Sequence, residues 1–115
     1  MRREPKIWGE RWMVREDSTH TTNILTLKAG YRCSWHRHTC KYNLFAVISG
    51  VVEIDAERNG CRTTTELYEG QALTVEPGVW HEFRVIEDGL MLEEMYVEYD
   101  DTDIDRMKIG GPMDD

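Results

Sequence analysis

The sequence predicts an all-β domain, a sandwich or small barrel, on three observations. Apolar stretches of strand length recur roughly every ten residues between residues 23 and 99. Turn signals separate them at Gly30, Gly50, Asn59-Gly60, Gly70, Pro77-Gly78 and Asp88-Gly89. No segment before residue 100 sustains an apolar period of 3.6 residues. Short strands closed by turns at regular intervals are the pattern of sandwiches and barrels.

Asn23 to Lys28 is rich in leucine and β-branched residues and ends at Gly30. Tyr31 to His38 alternates more loosely. Asn43 to Ser49 is an apolar run closed by Gly50, and Val51 to Ala56 continues as a strand. Asn59-Gly60 is the strongest hairpin signal, because a type I′ turn requires positive φ at both central positions. Cys61 to Leu67, with three consecutive threonines, is expected to return antiparallel. Gln71 to Val75, His81 to Ile86 and, after an Asp88-Gly89 turn, Leu90 to Tyr99 complete the set. Only Asp101 to Met107 reads as a helix, capped by Asp101 or Thr102. Met1 to Glu4 and Gly110 to Asp115 are expected to fray. The chain thus divides into an N-terminal arm over 1–21, a β-barrel over 22–99 and an acidic tail with a short helix over 100–115.

At 115 residues there is room for one domain. Apolar residues at 40% and charged residues at 31% suit a folded core rather than a disordered chain. Fourteen basic against 22 acidic side chains leave a formal charge of −8, which argues against binding a phosphate backbone, so no nucleic acid partner is expected. No run approaches the length of a membrane span. The charged residues 1–10 lack the apolar stretch of a secretion signal, and a cytoplasmic location is expected. Cys33, Cys40 and Cys61 form no CxxC pair; a Cys33–Cys40 bridge is compatible with the spacing, but reduced thiols are the plainer reading.

The chemistry concentrates in the histidines. On a strand, His36 and His38 would aim two imidazoles into one space about 7 Å apart. His81 shares its alternation with Phe83 and Val85, so it is expected to point inward. An inward histidine needs a partner, either a metal ion or a backbone carbonyl. His20 lies in a polar run and is expected to face solvent. The Asp101, Asp103, Asp105 run lacks the glycine and the glutamate of a calcium loop.

The spacing of these residues resembles the cupin family. The first cupin motif is a glycine, five residues, His-x-His, a short gap, a glutamate, six residues and a glycine. Gly30, His36, His38 and Gly50 fall on it, with Asn43 where the glutamate belongs. In the second motif, Gly70, Gly78 and His81 fit, Glu76 stands for the first proline and Val85 for the final asparagine. The resemblance implies an antiparallel double-stranded β-helix, the jelly-roll barrel. Trp8-Gly9, Ser34-Trp35-His36 and Asp103-Ile104-Asp105-Arg106 add a looser likeness to the mannose-6-phosphate isomerase type of small cupin.

The resemblance makes His36, His38 and His81 the ligands of a divalent transition metal, with Zn, Fe, Mn, Ni and Co all suited to neutral imidazoles. Asn43 offers a carbonyl oxygen without charge, and water, Tyr42, Cys40 or Gln71 are alternatives for the remaining position. Glu94, alternating with Leu90, Leu92 and Tyr96, is the carboxylate expected inward as general base. Arg32 and Lys41 are the cations expected to hold an anionic group. Trp80 is expected outside the barrel and Phe83 inside, near the metal. The expected partner is a small sugar-like or carboxylate molecule, bound or isomerised. A three-histidine iron dioxygenase and a non-catalytic binding cupin are the alternatives. An open sheet edge and the apolar arm with Ile7, Trp8, Trp12 and Met13 point to a homodimer.

Overall fold

The computed structural model describes residues 1–97, 107 and 110–113. Seven strands form it: β1 (Arg2–Lys6), β2 (Gly9–Glu16), β3 (His20–Leu27), β4 (Tyr42–Arg58), β5 (Cys61–Leu67), β6 (Ala72–Val75) and β7 (Trp80–Tyr96). All pairings are antiparallel, in the order β1-β2-β3-β7-β4-β5, with β6 also on β4. The fold is the all-β jelly roll that the sequence predicts, and no helix occurs among the described residues. The helix expected over Asp101 to Met107 lies, apart from Met107, outside them.

β4 and β7 form one long crossing pair, where the sequence predicts four shorter strands. The expected turn at Asp88-Gly89 is instead a run of bulges between Val47 and Val52. Glycine is required there by close approach: a Cβ on Gly89 would lie 2.0 Å from the Ser49 carbonyl oxygen. Bulges bend a strand and sharpen its twist, so one pair of strands can serve both layers of the roll. Asn59-Gly60 makes the expected tight hairpin between β4 and β5, with φ of 52° and 77°.

The arm does not fray. Arg2–Lys6 pairs with β2, and β2 pairs with β3, so residues 2–16 extend the sheet as a hairpin. Trp8 pins its turn: it is buried and meets Phe83 edge-on at 5.0 Å between ring centroids. Gly9 (φ +142°) allows the close approach, since a Cβ would sit 1.8 Å from the Thr26 carbonyl oxygen.

Between β3 and β4, the expected strand Tyr31 to His38 reduces to two isolated bridges, Arg32 to Arg84 and His36 to His81. The core below is formed by Leu25, Phe45, Val52, Ile54, Val75, Phe83, Val85 and Met91. No helix of the described residues is long and apolar enough to cross a membrane.

Candidate metal centre

The His36–His81 bridge brings the two histidine motifs together. Backbone bonds run both ways across it, at 3.0 and 2.8 Å, and Gly78 N–H donates to the His38 carbonyl at 2.7 Å. Ring centroids of His36, His38 and His81 lie 4.5–5.7 Å apart. One ligand atom from each falls within 4.8 Å of the others.

The hydrogen bonds set the tautomers. His81 Nδ1–H donates to the Val79 carbonyl at 2.8 Å, and His36 Nδ1–H donates to the Ser34 carbonyl at 2.7 Å. A carbonyl only accepts, so in each neutral ring Nε2 keeps its lone pair. His81 is 1% exposed; burial pushes its pKa down to about 4, against the opposing pull of the Val79 carbonyl. Burial, then the neighbouring His36, also lowers His38. Both rings are therefore neutral at ordinary pH, as metal ligands must be.

Two contacts test whether a cation fits. His38 Nε2 is buried without a hydrogen-bond partner among the described residues. His81 Nε2 lies 3.1 Å from Asn43 Oδ1. The Asn43 amide is oriented by its other end, where Nδ2 donates to Glu93 Oε2 at 3.3 Å. Oδ1 and the His81 nitrogen thus face each other as two acceptors. A proton cannot reconcile them while the ring is neutral, but a metal ion can. Neighbouring ligands with bonds of about 2.1 Å lie roughly 3 Å apart at right angles. The residues fit a divalent metal.

A polar chain backs the histidines. Glu93, 8% exposed, accepts from Asn43 and, at 3.0 Å, from Asn23 Nδ2 on β3. Asn23 and Asn43 are fully buried. Glu93 also lines the cavity of about 410 Å³ that holds His36, His38, Arg32 and Phe83.

The inward carboxylate of β7 is therefore Glu93, and the expectation for Glu94 is corrected by one residue. Glu94 lies on the other face, 3.7 Å from His20 Nε2. Alternation misleads because that outer face is itself apolar, carrying Leu90, Leu92 and Tyr96, while Met91, Glu93 and Met95 point inward. His20 is accordingly half-buried rather than free in solvent. Arg32 lines the cavity, 3.5 Å from Glu82. Lys41 does not; it lines a separate depression with Arg37, Thr39 and Cys40. Phe83 is buried beside the site, and Trp80 lies outside beneath the Arg37 guanidinium, 4.9 Å from the ring centroid.

Cys33 also lines the cavity, but burial pushes its thiol up to about 12 and its sulfur accepts the Phe83 N–H at 3.1 Å. It is no nucleophile. Glu93, Asn23 and the cavity-lining Arg11 and Lys6 went unmarked in the sequence. A polar Asn23 in phase with Leu25 and Leu27 was the available signal for the first pair.

The family model described as Cupin domain matches residues 23–97. Among solved structures, the fold is similar to KdgF from Halomonas sp., with a TM-score of 0.71 at 17% identity over 86% of this chain and 89% of that one. It is similar to an RmlC-like cupin from Shewanella frigidimarina, at 0.68 and 19% over 88% and 87% of the two chains. It is also similar to the Cnp3 cupin domain of Schizosaccharomyces pombe, at 0.68 and 14% over 77% and 64%. No curated protein matches the sequence. At these identities the likeness is one of fold.

Proposed function

From the premise that the chain belongs to the cupin family, we propose that it is a metal-dependent small-molecule cupin, binding or isomerising a sugar-like or carboxylate compound in the cavity beside its histidines. The observation that carries this reading is the convergence of buried nitrogens without protein partners to satisfy them: His38 Nε2, which has no hydrogen-bond partner among the described residues, and the His81 Nε2 lone pair against Asn43 Oδ1. Lone pairs buried together are costly until a cation gathers them.

His36, His38 and His81 would hold the ion, with Asn43 Oδ1 beside them. When bound, a divalent metal polarises a carbonyl or hydroxyl oxygen of the ligand. The chain's own residues supply the rest. The Asn23 and Asn43 amides each donate to one Glu93 oxygen and so fix the carboxylate's orientation in the cavity. Each oxygen keeps a lone pair, which lets Glu93 accept a proton from a ligand held there. Phe83 gives that cavity an apolar wall.

Metal content of protein prepared without chelator or nickel column tests the proposal, against a His36/His38/His81→Ala triple variant. About one ion per wild-type chain and none in the variant is expected, and equal content in both refutes it. Iron with obligatory oxygen consumption would favour the dioxygenase reading. Zinc, manganese or nickel with turnover lost in Glu93→Gln favours the isomerase type. Ligand binding without turnover favours the binding-only type.

We also propose that two copies pair through the outer sheet face, where Trp12, Ile24, Leu44, Leu92 and Tyr96 are half-exposed around the His20–Glu94 pair. Sedimentation giving only monomer across a concentration series refutes this. The free thiols of Cys33, Cys40 and Cys61 support a reducing, cytoplasmic setting as part of the same proposal.

A further inference from the structure

β2 turns Arg11 and Met13 inward, paired with Leu25 and Asn23 of β3. Methionine suits an inner sheet face; arginine there requires a reason. Arg11 Nη2 donates to Glu4 Oε1 at 2.9 Å, which accounts for one edge of the guanidinium. Its Nε–H is buried and has no partner among the described residues. A charged N–H removed from water without an acceptor is destabilising.

Arg11 lines the same cavity as His36, His38 and Glu93, and Lys6 lines it from the other strand of the hairpin. Glu4 serves both cations, lying 3.3 Å from Lys6 Nζ. Trp8, anchored against Phe83, fixes the hairpin over the cavity, so the cations are held in place rather than waving in solvent. One cavity is thus lined by His36 and His38 of the histidine cluster, by the oriented carboxylate of Glu93 and by the cations of Arg11 and Lys6.

We infer that Arg11, assisted by Lys6, is the carboxylate-binding end of this cavity, and that the ligand is a small organic acid. Its carboxylate meets the cavity-lining Arg11 guanidinium while its hydroxyl or carbonyl oxygens face the histidines; this rests on the metal-centre reading above. A guanidinium presents donors in a rigid fork that matches a carboxylate. Among the described residues Glu4 is the one carboxylate hydrogen-bonded to that fork, through Nη2. The nearby glutamate charge disfavours a phosphate dianion more than a monoanionic carboxylate. Glu4 is then an internal competitor, since it shares both cations that the ligand would use.

The test is calorimetric titration of the cobalt-loaded full chain with gluconate and with sorbitol, which share a six-carbon polyol skeleton but differ in the carboxylate. Gluconate is expected to bind and sorbitol to bind at least about tenfold more weakly. Arg11→Gln should weaken gluconate by roughly 10- to 100-fold, leaving sorbitol and cobalt stoichiometry unchanged. Arg11→Lys, which keeps the charge and the pairing to Glu4, should fall between. Glu4→Gln should tighten gluconate, an effect that simple loss of hairpin structure would not produce. Equal gluconate affinity in wild type and Arg11→Gln overturns the inference, as does equal affinity for sorbitol or no gluconate binding. Failure to take up cobalt overturns the metal-centre reading instead. Gluconate binding to that metal-free chain, lost in Arg11→Gln, would still support the assignment of Arg11, and its absence would overturn it.

Discussion

Asn43→Asp puts the family's missing charge back and exposes what this chain has done with it. Aspartate would set a second carboxylate beside Glu93, whose Oε2 now lies 3.3 Å from the Asn43 amide nitrogen. Two full charges at that separation repel by about 5 kcal/mol at an effective dielectric of 20. Proton uptake by one of the pair caps the cost at about 1.4 kcal/mol per pH unit above its ordinary value, or about 4 kcal/mol at neutral pH. The metal-free variant should therefore melt roughly 15 °C below wild type at about pH 7, with the gap closing toward about pH 4. With zinc or cobalt present the order reverses. A charged oxygen is a better ligand than an amide, and metal binding stabilises the native state by mass action. Melts by calorimetry across pH, with and without metal, make the comparison. A metal-free variant as stable as wild type, or one that gains no more from metal, would refute the placement of Asn43 between Glu93 and the ion.

Other perturbations read other parts of the molecule. Metal-free protein should lose up to about 3 kcal/mol as pH falls from about 6.5 to about 4, because the unfolded chain takes up a proton that buried His81 refuses, and urea melts flat over that range would contradict it. Phe45→Ala, which removes a fully buried ring 6.0 Å from both His81 and Phe83, should cost about 4 kcal/mol in denaturant melts and loosen metal binding; a cost under about 1 kcal/mol would mean that the ring does not support the site. Gly9→Ala must displace the Thr26 carbonyl and should cost more than about 1 kcal/mol, with Trp8 fluorescence shifting as the hairpin lifts, whereas an unshifted spectrum would show the turn to be slack.

The histidine cluster was legible because His36, His38 and His81 fall on the motif spacing that the chain shares with the cupins, although the His36–His81 contact itself is long-range. Gly30, Gly50, Gly70 and Gly78 all take positive φ, and their spacing from His36, His38 and His81 delimits the segments that converge. Glu93 was not legible, because the bulged crossing and an apolar outer face defeat an alternation count from Leu90. Arg11 was hidden for a related reason. Its importance lies in its place over a cavity whose walls beyond the hairpin come from residues 21–84 positions away.

By itself the sequence determined the fold class and the Asn59-Gly60 hairpin, since strand period and turn chemistry are short-range properties of the chain, and its likeness to the cupin motifs marked the three histidines. Only the tertiary structure decided which carboxylate faces them and which cation stands over them. Glu93 meets Asn23 across 70 residues, and Arg11 reaches the cavity through a hairpin added at the sheet edge. Such contacts follow from register, and one bulge moves every later side chain to the opposite face.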